Sequence, residues 1–518
     1  MANAGRLSGI LCWVAACGLE AAEVTVRLYS QHPPVELRLL RGGVVTRITA
    51  AHAARKPVEA AGSYEIAVNS EPAVRLRHPL RISSVQGRLG LTLRLPLEDY
   101  VSAVLAGESA SFGSEEALKA MAVAARTYAA RFAGRHKLEG FDFCDTTHCQ
   151  DFRVSAETSR LRAAAEATEG EMLWYLGSPA ATYYTQSCGG SSEDAARLWP
   201  DARAPYLRQH ADGFCPRQEW QAEILKADLP GALSVVSRTP SGRVERLRVD
   251  GVLTAAPAFR FSVGRTLGWH LIRGDLYEVR DGGDRWVFRG RGAGHGVGMC
   301  QAGAARMGSS GHGYRQILEF YYPGTLLGLT ARGLTWRAVR GERVELLTAQ
   351  ARTDLVDQAE RLVRELEERT RLRFLARPRI REYPDVATFR DATGEPGWVA
   401  ASTRGGVIRL YPAGRMALRH ELLHLLVDRP GLPLWFREGL ALYLSGKVSG
   451  LRPAGGPPSE EAFEKASTRG ELQRVYDAAL AFVTALVKQH GEETVLSWVE
   501  RGIPPGAVPP ATPAAATR

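Results

Sequence analysis

The sequence predicts a multidomain α+β protein, in which a mixed module with a β-rich beginning is followed by a mostly helical module. Three observations carry that expectation. The chain has 518 residues, too many for one ordinary domain. Apolar residues alternate in short bursts near the start, then recur at three- and four-residue steps farther on. The character of the chain changes around residues 333–352, where a boundary between modules is expected. Composition is that of a folded protein, 45% hydrophobic and 24% charged, with a formal charge of +10. That charge favours an anionic partner such as nucleic acid, a membrane surface or an acidic cell-wall polymer. The basic residues are spread out rather than gathered in a stripe with interleaved aromatics, which argues against nucleic acid.

Residues 1–22 read as a signal peptide. Arg6 precedes the apolar run Leu11–Cys17, and Ala21 and Ala22 offer small residues for cleavage. The run is too short to span a bilayer, and no transmembrane span is expected. Val14-Ala15-Ala16-Cys17 also resembles a bacterial lipobox, in which Cys17 becomes a lipidated N-terminus. Either route exports the mature chain to the bacterial cell envelope. Beyond this segment lie Cys144, Cys149, Cys188, Cys215 and Cys300. An odd number in an oxidising compartment leaves at least one that is a metal ligand, is free, or pairs between chains.

Residues 23–95 form the expected β-rich region, with period-two runs at Val24–Leu28, Val35–Leu39 and Leu91–Leu95. The mixed module extends over 96–332. Leu118, Met121, Ala122, Ala125, Ala129 and Phe132 predict a helix behind Ser114 as N-cap, with Glu115 and Glu116 in its first turn. Residues 180–300 return to strands and glycine-rich turns, and a helix near Tyr314–Phe320 closes the module at Tyr321-Tyr322-Pro323-Gly324. The second module spans 350–500. It opens with an amphipathic helix over Asp354–Thr370, then strands near Leu372–Leu375 and Val407–Leu410, and ends with a helix over 459–489. The tail, 503–518, is Pro/Ala-rich and reads as disordered. No internal repeat is apparent.

Chemistry concentrates in three places. In the second module, His420 and His424 lie four apart, so on a helix both imidazoles project from one face and can grip one zinc ion. Glu421 sits beside them as a general base, and Glu438, on the next helical segment, completes a three-residue ligand set. In the first module, Cys144, His148 and Cys149 with His136 suggest a closed Cys2His2 zinc site. The alternative is a Cys144–Cys149 disulfide. With metal at that pair, Cys188 and Cys215 become the expected disulfide and Cys300 is left free. The glycine-rich stretch 290–298 fits no phosphate-loop pattern. It reads as a tight backbone passage beside a cleft, where bulky side chains would block a sugar chain.

The motifs Leu97-Glu98-Asp99-Tyr100-Val101, Val104–Glu108, Glu116–Ala120, Ala124–Ala129, Ser187-Cys188-Gly189-Gly190, Gly290–Ala304 and Tyr321–Gly324 together resemble the SpoIID/LytB family of peptidoglycan lytic transglycosylases and amidase enhancers. The resemblance spans about 230 residues. One departure is Ser109-Ala110, where that family usually carries Met-Pro. It implies that Glu108 is the catalytic acid, cleaving the bond between N-acetylmuramic acid and N-acetylglucosamine to a 1,6-anhydro product. Such an acid needs a raised pKa, which the apolar neighbours Val101, Val104, Leu105 and Phe112 supply by desolvation. Ser187, His295 and Gln301 are the expected glycan contacts. The alternative role within the same family is a non-catalytic peptidoglycan-binding enhancer of a separate cell-wall amidase.

His420–His424, Pro433-Leu434-Trp435 and Glu438-Gly439-Leu440-Ala441 resemble the peptidase-MA-like zinc metallopeptidases. This resemblance implies a peptide substrate, held in extended form along strand Val407–Leu410. The alternative is an inactive peptidase-like scaffold.

Overall fold

The computed structural model describes residues 23–508 apart from 70, 203, 230, 351–352, 394, 396–398, 448–455 and 466–467. The signal peptide with its lipobox, and residues 509–518 of the tail, lie outside the described residues. The arrangement is mixed α+β with a β-rich beginning. No helix among the described residues is long and apolar enough to cross a membrane.

Alternation does its work at the start of the chain. Val24, Val26 and Leu28 all face inward on strand Glu23–Leu28, which pairs antiparallel with Arg88–Pro96 in the register Val24↔Leu95 to Leu28↔Leu91. Burying Leu91, Leu93 and Leu95 contributes about 1.5–3 kcal/mol each. The other edge of strand Glu23–Leu28 takes the short parallel strand Phe143–Cys144, which anchors the first cysteine–histidine segment. One apolar core runs from Val24 through these strands to helices Leu97–Glu108 and Glu115–Phe132 and on to Tyr322. Helix Glu115–Phe132 is buried on nearly every face, and the Ser114 hydroxyl accepts from the Ala117 N–H at its start. Within it, Arg126 is fully buried, paired with Glu98 and donating to the carbonyl oxygens of Ala165 and Glu171.

Residues 219–291 gather round a separate cluster that includes Trp220, Phe259, Tyr277 and Phe288. Helix Ala256–Thr266 interrupts the strands and turns expected there. Pro257 sits in its first turn, and Phe259 and Val263, four apart, are buried.

The C-terminal core surrounds a sheet ordered Arg337–Arg340, Glu345–Thr348, Arg379–Glu382, Val407–Leu410, Ala401–Arg404. Three expectations change here. Leu372–Leu375 is not a strand: Arg371 adopts a left-handed φ of 59° to cap helix Leu355–Thr370, and the chain uses the next residues to turn before Arg379. Val407–Leu410 lies inside the sheet with all its residues buried, so the edge strand is Ala401–Arg404. The helix expected over 459–489 is divided: it begins afresh at Arg469, because Thr468 and Glu471 form a capping box behind the shorter helix Glu460–Lys465, and a further helix, Glu492–Arg501, follows it.

Glu169, after helix Ser159–Ala167, reaches into this sheet. Arg409 donates to its two oxygens at 2.6 and 2.7 Å, and Arg381 and Tyr383 also bind it.

Candidate active site and metal centres

Glu108 is the last residue of helix Leu97–Glu108, which ends where Ser109 leaves helical geometry while still donating to the Leu105 carbonyl. The helix is buried along most of its length, so its final side chain emerges at the rim of the core. Three donors converge on the carboxylate. The Asp151 N–H reaches Oε1 at 2.8 Å, the Tyr184 hydroxyl lies 3.4 Å from Oε1, and Gln301 Nε2 donates to Oε2 at 3.0 Å. Gly107 makes the first of these contacts possible. A Cβ there would stand 2.1 Å from the Asp151 carbonyl oxygen. The Tyr184 hydroxyl accepts from Gln150 Nε2, and Gln150 Oε1 accepts from Tyr100, so a buried chain of hydrogen bonds ends at Glu108. Burial raises the Glu108 pKa above the usual carboxylate value. The hydrogen bonds from Asp151, Gln301 and Tyr184 pull the other way without cancelling it.

The carboxylate lines a cleft of about 960 Å³. Trp199 stacks on Tyr183 with centroids 4.4 Å apart in its wall, the kind of apolar face on which sugar rings pack. Arg131, Arg135 and Arg273 add positive charge to the same cleft. His295 also lines it, set edge-on to Trp199. Burial pushes this imidazole down to about 3, so it is neutral, and its Nδ1 accepts from the Val297 N–H.

Of the other expected glycan contacts, Gln301 lines the same cleft. Gln301 is turned onto Glu108, and its amide also donates to the Glu108 carbonyl oxygen at 3.2 Å. Ser187 is buried, its hydroxyl 3.3 Å from Cys215 Sγ, and does not line the cleft. Within the glycine-rich stretch, Gly294 lines the cleft, and other glycines make room for the protein's own backbone. A Cβ on Gly298 would lie 1.9 Å from the Tyr183 carbonyl oxygen, and one on Gly292 would lie 2.8 Å from that of Ser187. Sequence reasoning missed Tyr100, Gln150, Asp151 and Tyr184. The signal for Gln150 and Asp151 was present, since they directly follow Cys149.

His136, Cys144, His148 and Cys149 come together, with one potential ligand atom from each within 4.8 Å of the others. Cys149 Sγ is 3.3 Å from His136 Nε2, Cys144 Sγ is 3.6 Å from His148 Nδ1, and both thiols are free. Two sulfurs and two ring nitrogens at this spacing suit one tetrahedral ion.

In the second module His420 and His424 project from helix Leu418–Val427, with their Nε2 atoms 3.0 Å apart. Helix Leu434–Leu444 brings Glu438 up, its Oε2 3.5 Å from His424 Nε2. That oxygen is buried and has no hydrogen-bond partner. Burial pushes Glu438 up to about 8 and Glu421 up to about 7, and pushes His420 down to about 4. Two neutral imidazoles and an orphaned carboxylate oxygen facing one point fit a zinc ion. The Ser445 hydroxyl, 3.4 Å from His420 Nδ1, orients that ring, and Thr403 on the edge strand donates to Glu421 at 2.7 Å. Tyr476, on helix Arg469–His490, was missed as well. Its pKa is raised by burial first and then by the charges of Glu438, Glu421 and Glu395. No spacing pattern links it to the histidines.

Residues 85–175 match the family model described as Stage II sporulation protein, SpoIID. The chain carries a SpoIID-family domain. An uncharacterized protein of Brachyspira hyodysenteriae is 32% identical over 248 residues, which is 44% of this chain and 66% of that protein. Stage II sporulation protein D of Bacillus subtilis is 28% identical, over 51% of this chain and 84% of the relative. The amidase enhancer of Bacillus subtilis is 27% identical, over 43% of this chain and 39% of its own length. The chain thus spans just under two thirds of the first relative and well under half of the last.

Proposed function

We propose that the SpoIID-family domain is an exported peptidoglycan lytic transglycosylase acting in the bacterial cell envelope. The observation that carries this reading is the placement of Glu108. One carboxyl group of raised pKa, held by three donors, faces a cleft of about 960 Å³ walled by aromatic rings. Glu108 protonates the oxygen leaving C1 of N-acetylmuramic acid as the bond to N-acetylglucosamine breaks. The resulting carboxylate takes the proton of the C6 hydroxyl as that oxygen closes on C1, giving the 1,6-anhydro sugar and restoring the acid. No second carboxylate nucleophile is needed, unlike the usual two-acid glycosidase scheme. Gln301 and Asp151 keep the carboxyl oxygens in place through both transfers.

Digestion of purified glycan strands, read by mass spectrometry for anhydro ends, tests this. Wild-type protein is expected to make them and Glu108→Gln is not. A second reading follows from the relative named an amidase enhancer: the domain binds peptidoglycan and stimulates a separate amidase. It takes over if wild type makes no anhydro ends yet accelerates an added amidase.

For the second module we propose a zinc metallopeptidase, with His420, His424 and Glu438 holding the ion. Bound there, zinc supplies Lewis-acid polarisation of the scissile carbonyl and lowers the pKa of water. Glu421 takes the proton of the attacking water, and the Tyr476 hydroxyl stabilises the charge that develops on the carbonyl oxygen. A peptide substrate adds to the edge strand Ala401–Arg404, beside Thr403 and Glu421.

A further inference from the structure

A second group of potential ligands lies deep in the first module, away from His136 and Cys149. Cys188, Asp212, Cys215 and Cys300 are all buried, and their Sγ and carboxylate atoms lie within 4.8 Å of one another. We propose that these four residues form a buried structural zinc site, independent of the catalytic reading above.

The sulfurs and the carboxylate are held in place by backbone and side-chain donors. Cys300 caps the N-terminus of helix Gln301–Ser309, and the backbone N–H groups of Gly303 and Cys188 each donate to its sulfur at 3.3 Å. Asp212 is anchored by three further donors. Its Oδ1 accepts from the N–H groups of Phe214 and Cys215 at 3.0 Å, and its Oδ2 accepts from the Tyr321 hydroxyl at 3.0 Å. The same Oδ2 lies 3.2 Å from Cys188 Sγ. Gly303 leaves the space for this approach, since a Cβ there would stand 2.7 Å from Asp212 Oδ2. Buried Arg243 donates to the Cys188 carbonyl oxygen at 2.7 Å and places a positive charge beside the group.

A disulfide explains this arrangement poorly. Any pairing of two thiols would strand the third beside a buried, fully anchored carboxylate. A single tetrahedral ion uses all four groups at once. With zinc–sulfur bonds of about 2.3 Å the ligand atoms sit nearly 4 Å apart, which matches the observed clustering. A multi-iron cluster would spread the sulfurs farther than these are spread. The donor set of three thiolates and one carboxylate selects zinc over the hard cations.

The pin has a purpose in the fold. It ties together segments 112 residues apart, and strand Tyr184–Thr185 pairs in parallel with Met299–Cys300 at the same point. Tyr184 and Gln301, which flank the pinned residues, are the two side chains that contact Glu108 from this wall of the cleft.

Metal analysis of the full chain tests the site. Cys300→Ser is expected to carry one equivalent of zinc less per chain than wild type. Non-reducing peptide mapping of wild type is expected to show Cys188, Cys215 and Cys300 as unlinked thiols. Should Cys300→Ser fail to fold, the double variant Cys144→Ser, Cys149→Ser removes only the other thiol cluster. Loaded with cobalt, it is expected to retain thiolate-to-cobalt charge-transfer absorption. A disulfide-linked peptide joining any two of the three cysteines overturns the proposal. So does unchanged zinc in Cys300→Ser, or loss of all cobalt–thiolate absorption in the double variant.

Discussion

Gln301 reaches across 193 residues of sequence to hold Glu108 twice, at the carboxylate Oε2 and at the backbone carbonyl oxygen. The first bond stabilises the ionised carboxylate against the burial that raises its pKa. Replacing Gln301 by Leu removes that bond and raises the pKa further. A hydrogen bond to a charged group contributes about 1.5–3 kcal/mol, or roughly 1–2 pH units. The acid form then persists to higher pH, so the alkaline limb of a pH–rate profile for glycan cleavage is expected to move up by that amount. The maximal rate falls as the carboxyl loses its positioning. A limb that stays in place argues that Gln301 does not act through Glu108.

Glu108→Gln separates chemistry from stability. Loss of a general acid is expected to lower glycan cleavage by about 10²–10⁴-fold. Stability should move the opposite way or not at all. A carboxyl whose folded pKa lies above its unfolded value is penalised once pH exceeds the unfolded value, and the amide escapes that penalty. Thermal unfolding at pH 7 is therefore expected to give a Tm equal to or above wild type. A large drop in Tm would mark Glu108 as a structural residue.

Glu169 ties the first module to the C-terminal sheet. Burial alone would raise its pKa, but Arg381 and Arg409 outweigh that and hold it well below the carboxylate range. Its contribution is complete above the unfolded pKa and declines as pH falls below it. Glu169→Ala leaves two buried guanidinium groups without their partner and is expected to cost about 3–5 kcal/mol. Denaturant unfolding at pH 7 measures this, with limited proteolysis near residues 333–352 reporting loosened packing between the modules. A variant within 1 kcal/mol of wild type would mean that the pair does not couple them.

The elements legible in the sequence are those whose signals are local. Helix Glu115–Phe132 follows from periodicity and the Ser114 cap, and strand Glu23–Leu28 from alternation. Where the sequence misled, a second local signal or a long-range contact prevailed. The capping box at Thr468 splits a helix that periodicity alone would continue. The burial of Val407–Leu410 depends on a neighbour, Ala401–Arg404, that carries little strand character of its own. At the sites, residues four or five apart were readable as groups, as with His420 and His424 or Cys144 and Cys149. Contacts formed over long separations were not. Tyr184 and Asp151 meet Glu108 only because strand pairing and the bare backbone of Gly107 bring them there.

The second module yields a prediction that separates metal binding from catalysis. His420→Ala with His424→Ala removes two ligands and is expected to lower zinc by one equivalent per chain, with glycan cleavage unchanged. Glu421→Gln should keep its zinc, because Glu421 faces Thr403 rather than the point where His420, His424 and Glu438 converge. Peptide hydrolysis should nevertheless fall, since the amide cannot accept the proton of water. Tyr476→Phe keeps the ring and removes only the hydroxyl. Loss of one such donor costs about 10²–10³-fold in kcat, and KM should stay near wild type because the bond forms only as charge develops. Metal analysis beside kinetics on unstructured peptides distinguishes the cases. If Tyr476→Phe raises KM and spares kcat, the hydroxyl binds substrate and does not stabilise the transition state. If Glu421→Gln loses zinc, the glutamate is a ligand and the assignment of Glu438 to that role fails.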